Sequence, residues 1–125
     1  MINYIYGGDG GQIIVGSGEP SNAPTNGKVV GPYDNSIEGN TFFDARGNSI
    51  QIYGAAGTII KNNTVTSGTS IPRASAGGVI DLQRSMNTQI DGLAVTDYRP
   101  MTTDPVVRQD GLSFGTSLKN VTFKH

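Results

Sequence analysis

The 125-residue chain contains no cysteine and one histidine, the terminal His125. The first absence removes any disulfide framework and any thiolate metal site, and the second leaves imidazole ligation almost without material. Neither a metal nor a cofactor is therefore expected. Charge is also scarce, at 15% of residues against roughly 25% in an average globular domain. The 9 Lys and Arg stand against 10 Asp and Glu and nowhere gather into the basic footprint that a phosphate backbone requires. Nucleic acid is not an expected partner. No apolar run approaches the roughly 20 residues that span a bilayer, so no membrane insertion is expected. The opening "MINYIYGGDGG" lacks the basic start and apolar core of a signal peptide. No segment sustains helical apolar spacing over about three turns.

What the chain has in quantity is glycine, 18 residues of it, together with Asn, Ser and Thr. The length fits a single domain with a modest core. One phrase recurs four times: "SIEGNTF" from Ser36, "TIIKNNTV" from Thr58, "TQIDGLAV" from Thr88 and "SLKNVTF" from Ser117. Aligned on Ile37, Ile60, Ile90 and Leu118, each phrase has a large apolar residue five positions on, at Phe42, Val65, Val95 and Phe123. Two positions after the anchor stand Gly39, Asn62, Gly92 and Asn120, the residue types that most easily accept positive φ. Each phrase therefore reads as strand, left-handed corner, strand.

A second short strand is expected upstream of each corner: around Val29, from Ile50, from Val79 and from Leu112. In the last three the apolar residues alternate, at Ile50 and Ile52, Ile80 and Leu82, and Leu112 and Phe114, as in strands with one buried face. The anchors lie 60−37 = 23, 90−60 = 30 and 118−90 = 28 residues apart, within the range of repeat architectures.

The stretch "SIQIYGAAGTIIKNNTV", residues 49–65, resembles the right-handed parallel β-helix repeat of pectate-lyase-like proteins. The resemblance runs from about Val29 to Phe123. It implies an all-β fold, a right-handed parallel β-helix (solenoid) of about four short coils over residues 29–125, with residues 1–28 supplying an N-terminal strand, cap and loop. So short a column with open ends also resembles a piece of a viral tailspike. That likeness implies a homo-oligomer, with a trimer favoured, and a virion or extracellular location. Asn62 and Asn120 are read first as structural corner residues that satisfy backbone groups between coils.

The function so implied is a polysaccharide-recognising or structural module. The alternative is a polysaccharide-cleaving hydrolase or lyase using surface aspartates. Outward positions on the upstream strands are Gln51, Asp81, Gln83 and Ser113. A repeated D-x-R places Asp44 with Arg46 and Asp97 with Arg99 at one offset from Phe42 and Val95. In register, the two aspartates would lie two strand spacings apart, roughly 9 to 10 Å, at the upper edge of the roughly 6.5 to 9.5 Å between the carboxylates of inverting glycosidases. Asp44, Asp81 and Asp97 are thus the candidate catalytic residues. Gln51, Tyr53, Gln83, Arg46 and Arg99 are the candidate carbohydrate contacts, with Tyr33 and Tyr98 as further aromatic platforms. Asp81 with Arg84 or Arg73 would be the parts for lyase chemistry. Against these stands the ordinary use of Asp as a turn cap.

Overall fold

The computed structural model describes residues 3–6, 12–16, 32–68, 79–97 and 106–124. Among them every regular element is a strand: β1 (Asn3–Tyr6), β2 (Ile13–Gly16), β3 (Ser36–Glu38), β4 (Asn40–Phe43), β5 (Ile50–Tyr53), β6 (Ile59–Ser67), β7 (Ile80–Gln83), β8 (Gln89–Asp97), β9 (Val107–Gln109) and β10 (Ser117–Lys124). They form two sheets with parallel pairing throughout. The larger runs β1-β4-β6-β8-β10 with β3 also on β6, and the smaller runs β2-β5-β7-β9.

The chain is all-β, as expected, but the closed column is corrected. The right-handed parallel β-helix of about four coils is not what forms: the two parallel sheets do not close on each other. The links that run from one sheet to the other stack on one another among the described residues through single parallel bridges, Tyr33 to Ala56, Ala56 to Met86 and Met86 to Phe114. The physical reason lies in the linking residues. Gly, Asn and Asp at positive φ interrupt the extended backbone there, so each link contributes one bridged residue and not a strand that would join the two sheets. A sequence period reports that strands stack at a regular interval, and it is silent on closure.

The register follows the repeated phrase. Ile37, Ile60, Ile90 and Leu118 pair in succession, as do Phe42, Val65, Val95 and Phe123. The smaller sheet stacks Ile13, Ile50, Ile80 and Val107 in one column. Inward residues of both sheets join one buried cluster that includes Ile37, Phe42, Val65 and Val95 from the larger sheet and Ile50, Ile52, Ile80 and Leu82 from the smaller. Apolar burial of this kind supplies about 25 cal/mol per Å² removed from water.

The corner reading holds: Gly39, Asn62, Gly92 and Asn120 all have positive φ. Glycine is required at position 92 for a further reason, since a Cβ there would lie 2.5 Å from Asn62 Oδ1 on the neighbouring strand. A second left-handed series, Asp34, Gly57, Asn87 and Gly115, repeats at 57−34 = 23, 87−57 = 30 and 115−87 = 28 residues, the intervals of the anchors.

Two strand assignments differ from expectation. The last strand of the smaller sheet is β9 at residues 107–109, and not the "LSF" stretch, where Phe114 makes a single bridge to Met86. The strand expected around Val29 falls outside the described residues. Near the N-terminus, β1 and β2 pair with β4 and β5 and so belong to the sheets.

Candidate functional site

A strand sends alternate side chains to opposite faces, and the inward set of the smaller sheet is dominated by Ile, Leu and Val. Its outer face therefore carries the intervening residues in two columns. One is Ile14, Gln51, Asp81 and Arg108; the other is Gly16, Tyr53 and Gln83, with Asp110 directly after β9. Neighbours along each column are separated by one strand spacing, about 4.8 Å. Gln51, Tyr53, Asp81 and Gln83 thus come together, as expected from the sequence. Ser113 does not join them.

Hydrogen bonds fix the polar groups of this face. Gln83 Nε2 donates to Asp81 Oδ2 at 3.0 Å, and Gln51 Nε2 donates to Asn48 Oδ1 at 2.6 Å. Asp81 is buried, at 6% exposure, so its carboxylate orients the Gln83 amide and is poorly placed to meet a bulky substrate. Tyr53 is partly exposed. Burial and then the negative charge of Asp81 raise its phenol pKa, which keeps the hydroxyl protonated and able to donate. Beside it, Gly16 leaves no space for a side chain, because a Cβ would lie 2.6 Å from the Tyr53 carbonyl oxygen. Arg108 is exposed at the end of its column.

The edge of this face holds Asp110, which the sequence did not single out. Asp110 accepts hydrogen bonds from the Arg84 amide at 3.1 Å, the Leu112 amide at 3.2 Å and the Ser113 hydroxyl at 2.8 Å. Ser113 Oγ in turn accepts from the Ser85 amide at 3.1 Å. This is an Asx-type turn tied to the strand below. Burial works to raise the Asp110 carboxyl pKa, but the hydrogen bonds from Arg84, Ser113 and Leu112 outweigh it and hold the pKa below the usual carboxylate value. The "D-G-x-S" spelling was the available signal, yet an Asp-Gly pair marks any turn. What makes this one specific is contact with residues 26 to 31 positions away.

The repeated D-x-R resolves differently. Phe43 pairs with Thr66, Thr66 with Thr96 and Ser67 with Asp97, so Asp44 and Asp97 share a column with Ser67 between them. Their separation is therefore two strand spacings, roughly 9.5 Å. Asp44 has φ 53° and its Oδ1 accepts the Gly68 amide at 3.1 Å, which is the turn-capping role. Asp97 is buried. Arg46 is exposed on the turn after β4, whereas Arg99, Tyr98 and Arg73 lie outside the described residues. Tyr33 is exposed and bridges Ala56 on the link after β5. Arg84 sits at φ 50°, its amide held by Asp110.

One buried site was missed altogether. Asn63 Nδ2 donates to the Ile37 carbonyl at 2.9 Å, while its Oδ1 accepts the Asn40 amide at 3.0 Å and Asn40 Nδ2 at 3.1 Å. The sequence pointed to Asn62 and Asn120 as the inter-strand residues; Asn120 Nδ2 does donate to Asp91 Oδ1 at 2.9 Å, whereas Asn62 makes its corner and the neighbouring Asn63 makes the bonds.

Among the described residues no three His, Cys, Asp or Glu side chains gather to hold a metal ion, and no helix is long and apolar enough to cross a membrane. Comparisons with protein-family models, curated proteins and solved structures find no match to this chain.

Proposed function

We propose that the chain is a polysaccharide-recognising module whose binding face is the outer side of the smaller sheet, centred on Tyr53. The observation that supports this reading is the register that sets Gln51, Tyr53 and Gln83 on neighbouring strands of one face. Sugar rings present an apolar C–H face and a rim of hydroxyls. An aromatic ring beside amides matches both, since the ring buries apolar surface and each amide offers donor and acceptor together. The bonds from Gln51 to Asn48 and from Gln83 to Asp81 lower the cost of ordering those side chains on binding.

Recognition is favoured over cleavage by the state of the aspartates. Asp44 is engaged as a turn cap, and Asp81 is buried and accepts a hydrogen bond from Gln83, so neither is poised as the free partner of an acid–base pair.

The test is a glycan array, followed by calorimetry on the strongest hit with the Tyr53→Ala and Gln83→Ala variants. Each substitution should weaken binding about tenfold or more, corresponding to roughly 1.4 kcal/mol, while the chain stays folded. An array without a hit, or variants that bind as well as the parent, would overturn the reading.

A further inference from the structure

A column of polar side chains runs along the entry to the larger sheet. Asn35, Thr58 and Thr88 each stand immediately before a strand, β3, β6 and β8, and immediately after a left-handed residue, Asp34, Gly57 and Asn87. The backbone ladder joins them in order: the Ile59 amide donates to the Asn35 carbonyl at 2.8 Å and the Gln89 amide to the Thr58 carbonyl at 2.9 Å. Thr58 and Thr88 are 0% and 1% exposed. Their hydroxyl oxygens and the Asn35 side-chain nitrogen are all buried, and none of the three has a hydrogen-bond partner in the chain. Thr116, next in the column, differs: it is only partly buried, and its hydroxyl donates to Gln109 Oε1 at 2.9 Å.

A buried hydroxyl without a partner costs free energy that a valine of the same shape would not. The spacing of the column explains how that cost is met. Equivalent atoms on neighbouring strands lie about 4.8 Å apart, too far for a direct hydroxyl–hydroxyl bond of about 2.8 Å. Two such bonds through one intervening oxygen span that distance at an angle of about 120°, close to the tetrahedral preference of water. The ligand chemistry is equally restricted. Every group in the column is neutral, and Asn35 Nδ2 is a donor that would repel a cation. A bridging ligand must be small, uncharged, and both donor and acceptor.

We propose that the column holds two internal water molecules, one between Asn35 Nδ2 and Thr58 Oγ1 and one between Thr58 Oγ1 and Thr88 Oγ1. Asn35 donates to the first water, which donates to Thr58; the Thr58 hydroxyl donates to the second, which donates to Thr88. Each water then has two protein partners, within the range of buried waters in globular proteins. Together they extend the backbone ladder with a line of side-chain bonds where β3, β6 and β8 begin.

Magnetic relaxation dispersion of the water oxygen tests this, because it counts long-lived waters and does not see the threonine hydroxyls. Thr58→Val removes the shared hydroxyl and should lower the dispersion amplitude by about two waters; Thr88→Val should lower it by about one. Both variants should also unfold at a lower urea concentration than the parent. Thr88→Val leaves the first water in place, which keeps the comparison available if Thr58→Val does not fold. A parent chain without dispersion, variants with the parent's amplitude, or valine variants that unfold at the same or a higher urea concentration would each overturn the proposal.

Discussion

The buried asparagine at position 63 offers a quantitative test of how the strands are joined. Asn63 is 1% exposed and its amide serves three neighbours: the Ile37 carbonyl, the Asn40 amide and the Asn40 side chain. An Asn63→Ala substitution leaves all three without that partner. A buried polar group deprived of its partner costs about 1–3 kcal/mol, and water entering the space left behind offsets part of the sum. A net loss of about 3–5 kcal/mol is expected, a large share of the roughly 5–15 kcal/mol that stabilises a typical domain. Asn63→Asp adds a pH signature. The protonated carboxyl can still donate to Ile37 O; the ionised form turns a buried negative charge toward that carbonyl. Burial thus raises the introduced carboxyl's pKa in the folded state above the unfolded value of about 3.9. A raised folded pKa means that the variant's stability is fully retained below the unfolded pKa and is lost as pH rises through the folded pKa. Urea denaturation followed by circular dichroism, at pH 4 and pH 7, measures both effects. An alanine variant within about 0.5 kcal/mol of the parent, or an aspartate variant with the parent's pH dependence, would refute the reasoning.

Two further outcomes follow from burial and charge. Leu82 is fully buried between strands, so Leu82→Ala should cost about 2–5 kcal/mol in the same denaturation assay, and a loss under about 1 kcal/mol would mean that the site collapses to fill the space. The hydrogen bonds to Asp110 hold its folded pKa below the usual carboxylate value, so its contribution is present above the unfolded pKa and is lost as pH falls through the depressed folded pKa. Stability of the parent chain should therefore drop on acidification below about pH 4, and Asp110→Ala should flatten that part of the profile; an unaltered acid limb would show that the cap carries no linkage.

The tailspike and pectate-lyase-like resemblance led toward a closed column, and the open pair of sheets shows where such a likeness reaches its limit. Ladder geometry within a sheet is set by strands that pair over their whole length. Closure depends on the links, and here those are single bridges at Tyr33, Ala56, Met86 and Phe114. The outward placement of Gln51, Tyr53 and Gln83 was legible because β5 and β7 alternate strictly, with Ile50, Ile52, Ile80 and Leu82 inward. Asp81 was legible as outward but not as buried, since what shields a side chain is not a property of its own strand.

Residue pattern was enough for the all-β character, the 23-, 30- and 28-residue intervals, the inward apolar columns and the positive-φ corners at Gly39, Asn62, Gly92 and Asn120. Each of these is local: a strand needs alternation, and a left-handed corner needs a residue that tolerates it. Contacts distant in the chain select Asn63 over Asn62 as the residue that bonds across strands, tie the last turn down through Asp110 and set β9 at residues 107–109. Those choices are made by partners 23 to 31 residues away, because a buried amide or carboxylate is stable only where the folded chain brings its hydrogen-bonding groups to meet it.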